Sequence, residues 1–325
     1  MLFTSLALVF AGVSSVRAHG YVQTVNIAGQ TFQGWHPFED PYASPVPTTV
    51  MRKVADDGPI TFDSPDLTCN KGGSTGNGVT ATIAAGQAVT WTMNRWPDDH
   101  KGPVSVYMAN CGGDCDSFNG SGNVWFKLSS QGLIDAASFQ WASDKLIADG
   151  LTWSATVPSN IKAGKYLMRL ELLALHSAGA PQLYPFCTQL DVTGGGNGAP
   201  TSSELVSIPG VYTQSDQGLF GNIWSQPTSW PQVGPNVAAF VSGGSSGGSD
   251  PAPVSSSPAT SNAAPTSSEP ATTVASPTKS ANPITSPSAI TATAKPRKTC
   301  RVKKPKATNK HAKREYMRPW GKRRI

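Results

Sequence analysis

Residues 164-GKYLMRLELLAL-175 decide the fold. Tyr166, Met168, Leu170 and Leu172 recur at every second position, and successive side chains of a strand point to opposite faces. The stretch therefore predicts a long strand with one apolar face. Working outward, residues 183–192 predict its partner, and 20–27, 103–109 and 151–157 read as further strands. Residues 79–83 and 88–93 read as two strands joined by Gly86-Gln87. A short helix is expected within 135–148. Many short strands separated by turn residues, with few helical patterns, predict an all-β fold, an antiparallel immunoglobulin- or fibronectin-III-like sandwich. Two stretches rich in Pro, Gly and aromatics, 28–58 and 199–240, interrupt the pattern as long loops, and loops of that length are usually functional.

The ends of the chain have a different composition. Residues 1–18 read as a secretory signal peptide, with an apolar run over 2–13 and Val16 and Ala18 at the two small-residue positions before the cut. No other apolar stretch is long enough to span a bilayer, so a soluble, extracellular protein without a membrane span is expected. Residues 19–241 would form the folded domain. Residues 242–294 are dominated by Ser, Thr, Pro, Ala and Gly and predict an O-glycosylated linker that cannot bury a core. Residues 295–325 predict a disordered basic tail with 14 Lys and Arg against one Glu. The rest of the chain then holds 12 of the 26 Lys and Arg against 19 of the 20 Asp and Glu, so the net +6 conceals an acidic body. An acidic body is no nucleic-acid partner.

Five cysteines in an exported chain suggest disulfides. Cys69, Cys111, Cys115 and Cys187 allow three pairings. The glycine pair between Cys111 and Cys115 suits a tight local bridge, which would leave Cys69 to close a long loop with Cys187. In the loop-entropy treatment such a bridge contributes roughly 4–5 kcal/mol. Cys300 is left over in the tail. Asn119-Gly120-Ser121 is an N-glycosylation sequon in an expected surface loop.

Cleavage after Ala18 would make His19 the first residue. Its free α-amine (pKa near ~7.7–8) and imidazole (near ~6.5) could then close a chelate ring on one metal ion. His100 lies in the loop entering a strand, and His176 ends the long strand. Gln182 and Tyr184 follow on one face of the next.

In this order the segments HGYV (19–22), DLTCNKGG (66–73), DDHKGPVSVYMANC (98–111), LLALHSAGAPQLYPFCTQLDVTGGG (172–196) and IPGVYTQSDQGLFGNIWSQPTSWPQVGPNV (208–237) resemble the fungal lytic polysaccharide monooxygenases of auxiliary activity family 9, once family 61 glycoside hydrolases. The resemblance implies a histidine brace, in which the amine and ring of His19 and the ring of His100 hold one copper ion. Tyr184 would be the axial phenol. His176 and Gln182 would position an oxygen species. It also implies the pairs Cys69–Cys187 and Cys111–Cys115. A flat face carrying aromatics would stack on sugar rings, with Tyr212 and Trp230 the first candidates and Trp35, Phe38 and Tyr42 weaker ones. Three nitrogen donors in a plane suit Cu(II), whereas zinc prefers a tetrahedral site and has no redox chemistry.

The implied activity is oxidative cleavage of β-1,4-glucan, cellulose first, at C1 and/or C4 with O2 or H2O2. An external electron donor, either a small reductant or a redox enzyme, would be required, and the protein is expected to act as a monomer. Two rival readings are a hydrolase, which would need two carboxylates facing one bond, and a non-catalytic copper- or polysaccharide-binding sandwich.

Overall fold

The computed structural model describes residues 19–242. The expected signal peptide, the linker and the basic tail with Cys300 lie outside the described residues. Twelve strands run in chain order: β1 (Val22–Ile27), β2 (Gln30–Gln33), β3 (Ala81–Ala84), β4 (Ala88–Met93), β5 (Val104–Asn110), β6 (Asn123–Gln131), β7 (Leu133–Asp135), β8 (Gln140–Trp141), β9 (Thr152–Thr156), β10 (Gly164–Ala174), β11 (Gln182–Thr193) and β12 (Val206–Ser207). The order β2-β1-β4-β9 forms one sheet and β12-β6-β5-β10-β11-β3 the other; β7 and β8 make a separate hairpin. The helices are short: α1 (Ala142–Ala148), α2 (Gln217–Phe220) and α3 (Ala239–Ser242).

The long strand read from the sequence is β10, held between β5 and β11 in unbroken antiparallel register. Its alternation divides two cores. Tyr166, Met168, Leu170, Leu172 and Ala174 face the four-stranded sheet, with Trp91, Phe186 and Leu190 in the same cluster. Trp91 of β4 crosses the sandwich, its indole N–H donating to Thr188 Oγ1 on β11 at 2.8 Å. The opposite face carries Leu167 and Leu173 under the loops. Between them stand Arg169 and Glu171, both wholly buried. Glu171 accepts from Arg169 Nη2 at 2.8 Å and from the Tyr212 hydroxyl at 2.5 Å. Buried charges persist only when paired in this way.

Three features depart from the sequence reading. β3 pairs with β11 in parallel, so the sandwich is not wholly antiparallel. The turn at Gly86-Gln87 joins strands of different sheets. β6 and β2 are strands that the sequence reading passed over. The segment 28–58 is also less irregular than expected. After β2 it runs beside β11, with bridges from Met51 to Thr188 and, just beyond the segment, from Ile60 to Leu183. It covers a sheet edge that would otherwise be open to other chains. The expected helix is α1, shorter than its predicted span and tied by the Asp144 carboxylate accepting from the Trp141 backbone N–H at 2.8 Å. Both expected disulfides are formed, Cys69–Cys187 and Cys111–Cys115.

Candidate metal centre and substrate face

His19 precedes β1, and its neighbour Gly20 explains how it reaches the site. A Cβ at Gly20 would lie 2.2 Å from the carbonyl oxygen of Arg95, so only glycine lets the chain press against the loop before His100. The Tyr21 N–H donates to Asn94 Oδ1 at 2.8 Å, and the Asn94 N–H donates to the Tyr21 carbonyl at 3.0 Å. The loop is fixed in turn by the Trp96 indole N–H donating to the His100 carbonyl at 3.0 Å.

The rings of His19 and His100 stand 5.6 Å apart at 64°. His100 is 4% exposed. Its Nδ1 lies 2.9 Å from Asp99 Oδ1. A carboxylate can only accept, so Nδ1 carries the proton and Nε2 keeps a lone pair. That Nε2 is buried and has no hydrogen-bond partner among the described residues. An orphaned buried nitrogen of this kind asks for a ligand. Burial holds the imidazole pKa below its ordinary value, although the Asp99 hydrogen bond opposes the shift. The neutral, donating ring therefore dominates at mild pH. The hydrogen bond to His100 likewise holds the Asp99 carboxyl below its usual range.

Among the described residues no three His, Cys, Asp or Glu side chains converge as a metal cage. Two histidine rings alone are few donors. The backbone nitrogen of His19 is the remaining candidate, and it becomes an amine only when the bond to Ala18 is cut. The donor set therefore fits a nitrogen-liganded cation bound by the processed chain.

The remaining predicted residues gather at this point. The Tyr184 ring on β11 lies 5.9 Å from His19 and 6.4 Å from His100, with Trp96 at its edge, 5.0 Å away. Burial pushes the Tyr184 phenol well above its ordinary pKa, so it stays protonated. Its hydroxyl donates to Gln182 Oε1 at 2.7 Å, the same-face pair that strand alternation requires. The amide N–H groups of Gln182 then remain available. His176, in the turn between β10 and β11, stacks on His100 at 4.2 Å and 20°, and its Nδ1 is buried without a partner among the described residues.

Of the two first choices for sugar stacking, Tyr212 needs correction. Tyr212 is a core residue. It is 4% exposed, and its hydroxyl is hydrogen-bonded to Glu171 and Tyr107, whose buried carboxylate and phenol need those partners. Trp230 is half-buried, edge-on to Trp141 at 5.2 Å, with its indole N–H donating to the Gly218 carbonyl at 2.8 Å. Trp35 is also buried, its indole N–H donating to Val54 O. Phe38 and Tyr42 do face outward, Tyr42 at 84% exposure.

The sequence reading missed Trp224. It is half exposed, and its indole N–H donates to the His176 carbonyl at 2.8 Å, which fixes an outward ring beside the turn that carries His176. The only local signal was its neighbour. Ile223, in the same turn (Ile223–Ser225), is fully buried and takes the core position.

A family model, Auxiliary Activity family 9 (formerly GH61), matches residues 19–232. The chain is 41% identical over 268 residues to an AA9 family lytic polysaccharide monooxygenase B of Geotrichum candidum, covering 80% of this chain and 72% of the relative. It is 40% identical over 235 residues to a namesake from Gloeophyllum trabeum, covering 68% of this chain and 92% of the relative. Among solved structures, HiLPMO9B is 39% identical with a TM-score of 0.63, covering 67% of this chain and 99% of that one. A cellulose-active polysaccharide monooxygenase from M. thermophila is 35% identical with a TM-score of 0.62, over 67% and 98%. Sequence, sandwich and the gathering of His19, His100, His176, Gln182 and Tyr184 agree, and the chain belongs to auxiliary activity family 9, the lytic polysaccharide monooxygenases.

Proposed function

We propose that the processed chain is a secreted, copper-dependent monooxygenase that cleaves β-1,4-glucan, cellulose in the first place, by oxidation at C1 and/or C4 with an external electron donor. The observation that carries this reading is the bare, buried Nε2 of His100, held as a lone-pair donor by Asp99 on a ring 5.6 Å from that of His19. His19 would contribute its amine and ring, and His100 its Nε2. Copper bound there supplies one-electron reduction and activation of O2 or H2O2.

The chain's own residues define the surroundings of that ion. Tyr184 closes one side as a protonated phenol too poorly acidic to become a phenolate ligand. Gln182, through its amide N–H groups, and His176, through a ring nitrogen, would supply the polar groups that position oxygen when copper is bound. Trp224, Phe38 and Tyr42 would hold glucan by stacking their apolar rings on pyranose faces. Asp99, which a hydrolytic reading would want as a free catalytic carboxylate, is occupied by His100. The domain proposed to do this spans 19–241, as a monomer.

The test is mass spectrometry of products from crystalline cellulose, with and without ascorbate and a chelator. Oxidised oligosaccharides that require both copper and reductant are expected. Native oligosaccharides released without reductant would replace this reading with hydrolysis, and no products with intact copper binding would leave a binding protein.

A further inference from the structure

The sequon Asn119-Gly120-Ser121 stands in a loop that is held from several sides. Cys115 is bridged to Cys111. The buried Arg52 guanidinium donates to the carbonyls of Gly73 at 3.0 Å, Cys115 at 2.6 Å and Phe118. The Trp125 indole N–H donates to the Gly120 carbonyl at 2.8 Å. Gly120 has φ +73°, and a Cβ there would come within 2.8 Å of both Thr68 Cγ2 and Trp125 Cζ2. Only glycine brings the loop this close. Asn119 Oδ1 accepts from the Ser121 N–H at 3.0 Å and the Ser121 hydroxyl at 2.8 Å. Its Nδ2 has no partner among the described residues.

Asn119 and Ser121 form one rim of a groove of about 360 Å³, within the size range of small-ligand sites. Pro65, Ile208 and Pro209 give the groove an apolar wall, and Asp66, Ser74 and Ser207 give it hydroxyl and carboxylate groups. This mixture matches a pyranose, which presents C–H faces and hydroxyls together. An acetamido methyl would lie on the proline and isoleucine side.

We propose that Asn119 carries an N-linked glycan whose first N-acetylglucosamine occupies this groove. Attachment forms the Nδ2–C1 bond while the C1–oxygen bond to the pyrophosphate of a polyprenyl-linked oligosaccharide donor breaks, and the amide gives up one proton. No oxidation or reduction is involved. The tether raises the local concentration of the sugar at the groove, and the immobilised loop leaves little further ordering cost. The proposal depends on the secretory reading alone. Its readouts are independent of copper, so a failure of the metal site would not be confused with a failure here.

The full chain should be secreted from a eukaryotic host and compared in three forms: glycosylated, trimmed by an endoglycosidase to one N-acetylglucosamine, and fully stripped by an amidase. Stripping leaves Asp at position 119, so Asn119→Asp produced directly is the matched reference. Intact mass should show a glycan that Ser121→Ala abolishes. The trimmed form should melt with the glycosylated one. The stripped form should melt about 2–4 °C lower and exchange its amides faster around 119–122 and 207–210. Absence of a glycan on Asn119 overturns the proposal. Equal melting and exchange in the trimmed and stripped forms overturns the seat in the groove.

Discussion

His100 gives one nitrogen to Asp99 and keeps the other bare, whereas His176 stacks on its ring and Gln182 accepts from the Tyr184 hydroxyl. Substitution should separate these roles. His100→Ala, or a single alanine inserted before His19, should each remove a nitrogen donor and weaken copper binding by at least a hundredfold, read by titration calorimetry. His176→Ala and Gln182→Ala should retain copper and lose oxidised product. Equal loss of copper across the whole set would remove the distinction between metal donors and oxygen-positioning groups. For the substrate face, Trp224→Ala should weaken retention on cellulose about tenfold, equivalent to ~1.4 kcal/mol. Tyr212→Phe should leave retention unchanged but reduce stability, because Glu171 loses a hydrogen bond. Singly, a histidine beside a strand reads as an ordinary loop residue; the histidines, Gln182 and Tyr184 were legible as a set because their segments, in order, resemble one family. The aromatics were not. A tryptophan in a Pro- and Gly-rich loop reads the same whether its ring points in or out, and only Ile223 taking the core position turns Trp224 outward.

Strand alternation exposed β10, β11, β5 and β1 because each has an apolar face against the other sheet. β6 escaped because Lys127 interrupts its pattern, yet that lysine is fully buried. Its ammonium donates to the Val233 carbonyl at 2.5 Å and lies 5.4 Å from the Tyr107 ring. Burial lowers its pKa to about 8, with Glu171 and Asp216 opposing the shift. Between pH 8 and about 10.5 the unfolded chain binds a proton there that the folded chain does not, so stability rises with pH in that window. Burial raises the Tyr107 and Tyr212 phenols, which reverses the trend above about pH 10, where unfolded tyrosines ionise. Chemical denaturation of copper-free protein should therefore show stability climbing from pH 8 to 10 by on the order of 1–3 kcal/mol. Lys127→Met should flatten that climb, and an unchanged slope in the variant would assign it elsewhere. Glu171→Ala should cost about 3–5 kcal/mol, since it strands Arg169 in the core. Such paired charges are invisible to a pattern that scores polar residues as exposed, whereas Tyr212 was placed at the surface by the resemblance of its segment.

Charge divides along the chain. Residues 295–325 hold 14 cationic side chains and one Glu, and the remainder carries more carboxylates than cations. Within the described residues, Lys101, the neighbour of His100, is paired with Asp144 at 2.5 Å. Two modes of attachment to a polymer follow, and salt separates them. Stacking by Trp224, Phe38 and Tyr42 on neutral cellulose involves no net charge and should hardly respond to ionic strength. Attraction of the basic segment to an anionic polysaccharide must decay as the screening length shortens from ~10 Å at 0.1 M to ~3 Å at 1 M. Truncation after Ala294 should therefore leave copper affinity and cellulose oxidation at their full-length values while removing retention on a carboxylated support at low salt. The comparison needs four columns, both proteins on neutral and on carboxylated cellulose, each eluted by a salt gradient. If full-length and truncated chains elute together from the carboxylated support, residues 295–325 have no anchoring role, and attachment rests on the aromatic face alone.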